Sequence, residues 1–248
     1  MLRRCARCPQ RMSSARKHST LEGSVQLCKE EDRNYVVSTA SRGLGLEFAR
    51  QLLSRTAGHV ICFSRKVDAP SLVTLKETFK TRISIVELDL ESQPSIDDAV
   101  SRVNDICVQR KQVGDAGSGK VDILLNVAAL LGDQSKNAPG PERSILDVDR
   151  DWLEKTMSVN FVGHVMVTKG LAPLLKRPKN VKLGKVVNLS ARVGSISDNF
   201  LGGWMSYRCS KSAINQFTKT VSLELKRSNC IAISIHPGKF KNRFASRT

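Results

Sequence analysis

The sequence predicts an α/β chain folded as one doubly wound parallel sheet, and three observations predict it. Six short apolar segments recur along the chain, each but the last followed by a stretch whose apolar residues fall at helical spacing, the alternation expected of βαβ units. The first of them runs into a glycine-bearing turn and then a helical pattern, the opening half of a βαβ unit. Polar residues able to do chemistry gather after the apolar segments, at the carboxyl ends of the strands, where such sheets bind ligands. The 248 residues suffice for a single domain with a closed core. No apolar run reaches the roughly 18 residues of a membrane span, so none is expected.

The domain is expected over residues 34–248, preceded by a polar, basic segment, 1–33. Residues 1–20 carry Arg3, Arg4, Arg7, Arg11, Arg16 and Lys17, several Ser and Thr, and no acid. This composition reads either as an organelle transit peptide, implying a mitochondrial or other matrix location, or as a disordered basic tail on a cytoplasmic protein. The formal charge of +17 is otherwise dispersed, without aromatic-rich basic repeats or a zinc pattern, so nucleic acid is not an expected partner. Seven cysteines are scattered without a disulfide framework, and the single CxxC, Cys5 and Cys8, falls in the leader. No metal site is expected, and reduced thiols fit best.

Tyr35 to Ser38 is the first strand, leading into Thr39-Ala40-Ser41-Arg42-Gly43-Leu44-Gly45 and a helix through Leu46, Ala49, Leu52 and Leu53. The helix N-terminus offers unpaired N–H groups and a positive dipole end to a pyrophosphate. His59 to Phe63 is the second strand, followed by Ser64-Arg65-Lys66 and no acid. An acid there would accept from a ribose 2′-hydroxyl, whereas Arg65 with Arg42 predicts a 2′-phosphate, hence NADP(H) over NAD(H). Leu72 to Lys80 is helical and Ile83 to Asp89 a strand; Asp89 would touch an adenine ring or cap the next turn. A helix over Ile96 to Val108, a Gly/Ser-rich loop from Gly114 to Lys120, and a nearly all-apolar strand from Val121 to Ala129 come next. Asn126 lies near its end, and Gly132 to Pro141 is a long polar loop of the kind that covers a site.

The pattern then predicts one long helix from Asp151 to Leu175, with Asn160 and His164 inside it. Lys185 to Ser190 is the fifth strand and Ile231 to Ile235 the sixth, ending in His236-Pro237-Gly238. Between them, Tyr207-Arg208-Cys209-Ser210-Lys211 opens a helix, and its spacing puts Tyr207 beside Lys211. An ammonium beside a phenol favours phenolate, which predicts a tyrosine able to exchange a proton with a carbonyl or alcohol oxygen.

Taken in order, the turn from Ser38 to Gly45, Asn126-Val127-Ala128-Ala129, Asn160, the Ser190 region, Tyr207-x-x-x-Lys211 and Pro237-Gly238 resemble the short-chain dehydrogenase/reductase family over roughly residues 34 to 240. The stretch Asn188 to Ile196 with Tyr207 to Lys211 is most similar to the C-factor and sniffer-type carbonyl reductase branch. The resemblance implies a Rossmann-type fold and hydride transfer between a nicotinamide and a small-molecule carbonyl or alcohol substrate. Homo-oligomer assembly would be in keeping with it. Tyr207 would be the acid/base, Lys211 would hold the nicotinamide ribose and lower the tyrosine's pKa, and Asn160 would position a water in a proton relay. Implied cofactor contacts are Ser38, Ser41, Arg42, Gly43, Leu44, Gly45, Arg65, Asp89, Leu90, Asn126, Ala128, Lys211, Pro237 and Gly238.

The departures are specific. The family's catalytic serine corresponds to Ala191; Ser190 could replace it only if the strand end is irregular, because neighbouring side chains on a strand face opposite ways. Thr39 replaces the first glycine of the turn, and Val127 and Ala129 replace an asparagine and a glycine. The chain stops at Thr248, short of the family's last strand and helix, which would leave an unpaired sheet edge. These departures leave a second reading open, a member with a binding or regulatory role and no turnover.

Overall fold

The computed structural model describes residues 33–112, 119–132 and 140–238. The basic leader, most of the two predicted loops and everything after Gly238 lie outside the described residues. Six parallel strands, β1 (Asn34–Val37), β2 (His59–Ser64), β3 (Ile83–Glu87), β4 (Ile123–Asn126), β5 (Gly184–Leu189) and β6 (Cys230–Ile235), form one sheet in the order β3-β2-β1-β4-β5-β6. The order reverses between β1 and β4, and the crevice at that switch point is where such a sheet takes its ligand.

The inner strands β1, β2 and β4 are apolar on both sides because both sides are covered, whereas the edge strands carry Ser84 and Glu87 on β3 and Ser234 beside a half-exposed Ile233 on β6. Val36, Ile61, Phe63, Leu124 and Val186 pack against α3 (Gln93–Gln112), α5 (Gly163–Leu175) and α6 (Met205–Leu225). Their neighbours Val37, Cys62, Leu125 and Val187 pack in a second core with α1 (Gly43–Arg55) and α2 (Pro70–Phe79). Among the described residues no helix is long and apolar enough to cross a membrane.

Two predicted elements are corrected. Strand β4 ends at Asn126 instead of Ala129, because the Val127 and Ala128 N–H groups turn to Ser38 Oγ (2.7 and 3.4 Å). The single helix expected over 151–175 is three pieces: α4 (Arg150–Met157), a five-residue π turn, Ser158–Val162, and α5. The π turn presents Asn160 inward, and Gly163 just beyond it packs so closely on Leu90 that a Cβ would stand 2.6 Å from the Leu90 Cβ. Such π turns recur at functional sites.

One polar row crosses this apolar sheet. Asn126 of β4 is in register with Asn188 of β5, and Asn188 with Ser234 of β6. Asn126 Nδ2 donates to Asn188 Oδ1 (2.8 Å) and to Thr168 Oγ1 of α5 (3.1 Å). Asn188 Nδ2 donates to Thr218 Oγ1 of α6 (2.8 Å), which also accepts from Ser234 Oγ (2.9 Å).

Candidate active site

The turn between β1 and α1 is held from below. Ser38 is buried, its hydroxyl bridging to the strand β4 extension, and Ala40 N donates to Phe63 O (2.8 Å), fastening the turn to the end of β2. Thr39 takes φ +58, so a β-branched residue sits in the left-handed region that favours glycine, at about 1–2 kcal/mol. Gly43, at φ +57, has open space where a Cβ would point. Gly45 has none: a Cβ would overlap the Thr39 carbonyl. The first turn of α1 carries no acid, and its N-cap, Arg42, makes no side-chain cap bond. A bare, uncapped helix start with a positive dipole end fits a dinucleotide pyrophosphate. Arg42, Arg65 and Lys66 are exposed around this end of the sheet, and Ser71 Oγ of α2 holds Ser41 O (2.6 Å).

Several residues expected at a cofactor also make bonds inside the fold. Ser38 Oγ and Asn126 Nδ2 make the cross-strand ties described above, while Asn126 Oδ1 is buried with no partner among the described residues. Asp89 Oδ1 accepts from Glu91 N (3.0 Å), so its carboxylate caps the following turn, one of the two expectations for it. Leu90 is buried in the core beneath Gly163. Ala128 is buried and its carbonyl meets His164 Nε2 (2.9 Å). Asn160 Oδ1 accepts from Leu130 N (2.6 Å), while Nδ2 donates to Leu130 O (2.9 Å) and Ser210 Oγ (3.1 Å). Both amide protons are used, so the side chain clamps the strand β4 extension to α6 and is not free to orient a water through them.

On α6 the predicted pair is side by side. Lys211 Nζ stands 5.5 Å from the centre of the Tyr207 ring and donates to Leu189 O at the end of β5 (2.8 Å). The adjacency holds, but the expected fall in the tyrosine's pKa does not. Burial pushes the Tyr207 phenol up, and burial brings the Lys211 ammonium down, to about 8. Desolvation disfavours each charged form.

Sequence reasoning missed the support beneath Tyr207. Glu142 is buried, and its Oε1 accepts from both the backbone N–H and the hydroxyl of Ser206. Its backbone carbonyl accepts from Trp204 N, and the Trp204 ring meets Tyr207 edge-on at 6.4 Å. Nothing in the Pro-flanked stretch around Glu142 signals burial. Ser210, which receives Asn160, lay within the quoted motif without a role.

The end of β5 is regular. Ser190 N continues the ladder to Ile235 O (2.8 Å), and Ala191 is extended (φ −147, ψ 155). Ser190 therefore stays on the opposite side from Ala191, and its hydroxyl is buried without a partner among the described residues. The irregular end that would bring Ser190 round to the place of Ala191 is absent. Pro237 and Gly238, the latter at φ +83, follow β6 at the same edge.

His164 lies one helical turn after Asn160, fully buried, and burial brings its pKa from the ordinary 6.5 down to about 4. An unfolded chain takes up this proton below 6.5 and the folded one resists until about 4. Stability is thus lost as pH falls through that window, by about 3 kcal/mol. Denaturant midpoints measured from pH 7 down to 4 are expected to fall less in His164→Gln; identical slopes would overturn the assignment.

A family model for short chain dehydrogenases matches residues 33–248. An uncharacterized oxidoreductase of Schizosaccharomyces pombe is 28% identical over 207 residues, covering 84% of this chain and 73% of the relative. Carbonyl reductase Sniffer of D. melanogaster superposes with a TM-score of 0.73 at 26% identity, over 87% of this chain and 84% of that one. A protein described as a short-chain dehydrogenase/reductase of Burkholderia multivorans, with NADP bound, has a TM-score of 0.67 at 26% identity, over 86% and 81%. The sheet order, the turn after β1 and the Tyr207–Lys211 pair agree with that match, and the chain belongs to the short-chain dehydrogenase family.

Proposed function

We propose that the chain is an NADP(H)-dependent carbonyl reductase or alcohol dehydrogenase, with Tyr207 as its proton donor. The observation that carries the reading is the Tyr207–Lys211 pair, 5.5 Å from ammonium to ring, at the carboxyl edge of the sheet that also bears the uncapped α1 start. Gly43, Leu44 and Gly45, with Ser41, would hold the pyrophosphate, Arg42 and Arg65 the 2′-phosphate, and Lys211 the nicotinamide ribose. Pro237 and Gly238 would flank the nicotinamide. When bound, the cofactor supplies the hydride.

The chain's own residues do the rest. Burial raises the pKa of Tyr207, so the hydroxyl is protonated at neutral pH and can give its proton to a carbonyl oxygen. Lys211, whose ammonium lies 5.5 Å from the ring centre, stabilises the phenolate left behind. Asn160 and Glu142 fix the two flanks of α6 that carry this pair. Ala191 offers no hydroxyl to polarise the substrate oxygen, which leaves that work to Tyr207. Location in an organelle matrix belongs to the same proposal and rests on the acid-free first 20 residues; the alternative is the cytoplasm.

A fluorescence titration tests the cofactor. NADPH is expected to bind much more tightly than NADH, and Arg65→Ala to weaken NADPH by about tenfold, the loss of one charge-assisted contact, with NADH unchanged. Equal affinities for both, unmoved by Arg65→Ala, would turn the reading to NAD(H).

A further inference from the structure

At the amino ends of the strands, the far side of the sheet from the Tyr207–Lys211 pair, two stretches run side by side: residues 176–183 lead into β5 and 226–229 into β6. Hydrogen bonds join them into one surface. Arg177 N donates to Ser228 O (2.8 Å), Gly184 N to Asn229 O (3.2 Å), and Asn229 Nδ2 to both Pro178 O (2.8 Å) and Val181 O (2.6 Å). The Arg177 side chain is buried below, donating to Leu174 O (2.7 Å), Val121 O (2.9 Å) and Asp122 Oδ1 (3.2 Å). The other cations stay outside: Lys176, Lys179 and Lys182 on the first stretch, Lys226 and Arg227 on the second, are exposed. Neither stretch holds an acid, and the exposed acid next along the chain is Glu224. Among these cations the fold leaves two apolar side chains outside, Val181 (46% exposed) and Leu183 (39%).

We propose that this face docks on an anionic phospholipid bilayer and holds the chain at the surface without crossing it. Charge complementarity selects the occupant: cations with no acid between them suit a negative leaflet, each basic side chain near it strengthening attachment about fivefold. The two apolar side chains select a bilayer over a nucleic acid. Valine and leucine beside lysines can enter the boundary between headgroups and acyl chains, whereas neither offers a ring on which a base could stack. The hydrogen bonds between the stretches fix the backbone that carries these groups, so little ordering remains to be done on docking. Because Lys211 is anchored at Leu189, the other end of β5, a docked chain turns its candidate active site away from the bilayer.

The test is co-sedimentation of the full chain with vesicles of phosphatidylcholine alone and of phosphatidylcholine with about one-third phosphatidylserine. Binding is expected to the second kind only, and to be released by about 0.5 M salt, which screens charges more than a few ångström apart. Lys179→Glu/Lys226→Glu is expected to lower the partition constant by about 25-fold or more, two attachments being lost and two repulsions gained. Val181→Ser/Leu183→Ser is expected to lower it less and to leave the salt dependence unchanged, since no charge is removed. All four side chains are exposed, so urea midpoints of both variants should match the parent and show that the losses are not unfolding. Vesicle binding undiminished in Lys179→Glu/Lys226→Glu would overturn the proposal and trace the attraction to the basic residues of 1–20. So would binding of polyuridylate in place of vesicles, abolished by the same double substitution, which would assign the face to nucleic acid.

Discussion

Tyr207→Phe is expected to slow carbonyl reduction by about 10²–10⁴, the usual worth of a positioned general acid, with NADPH affinity unchanged. The substitution removes one oxygen and keeps the ring, so the edge contact with Trp204 and the position over Lys211 survive. The loss should fall on kcat, since the hydroxyl is needed only as the substrate oxygen gains its proton. Single-turnover oxidation of NADPH with a saturating ketone measures it. An undiminished rate would remove Tyr207 from the chemistry and leave Lys211 as a structural tie to Leu189.

Gly45→Ala is expected to abolish dinucleotide binding and to cost about 1–3 kcal/mol or more of stability, as overpacking does. The added methyl would overlap Thr39 O and reach Ser38 O at 3.0 Å, both backbone atoms. That backbone cannot retreat, because Ser38 is tied to the strand β4 extension and Ala40 to β2. Gly43→Ala is the control: its Cβ meets open space, and only its φ of +57 is strained, at about 1–2 kcal/mol. Urea midpoints and NADPH titration of both variants distinguish a turn that needs close approach from one that needs only a left-handed residue. Unaltered binding in Gly45→Ala would show that the pyrophosphate is held elsewhere.

What the sequence makes legible here is local. The six strands could be read because each is a short, mostly apolar run, and the Tyr207–Lys211 adjacency because four residues on a helix make one turn. The break between α4 and α5 could not be read. It arises from Gly163 on Leu90 and Asn160 on Leu130, contacts between residues far apart in the chain. The sign of the Tyr207 shift was misjudged for a similar reason: the neighbour is written in the motif, the burial is not. Asn126 illustrates the same limit, since its amide partner, Asn188, is 62 residues away. Glu142 could not be found at all, because a carboxylate in a loop is ordinarily solvated.

The row of Asn126, Asn188 and Ser234 acts as a keyway among strands that are otherwise interchangeable. A parallel strand of Val, Ile and Leu, slid by two residues, presents the same greasy faces to the same neighbours, and little in its apolar contacts penalises the error. Sliding β5 by two against β4 would part Asn126 from Asn188 and strand an amide in hydrocarbon, costing roughly 1–3 kcal/mol for each group left unpaired. The same slip would carry Leu189 O away from Lys211, so a chain docked in the wrong notch would also lose the anchor that ties this lysine to the sheet. Alignment of the three strands that carry the chemistry is thereby checked once, at the polar row, before the lysine of α6 can reach its carbonyl on β5.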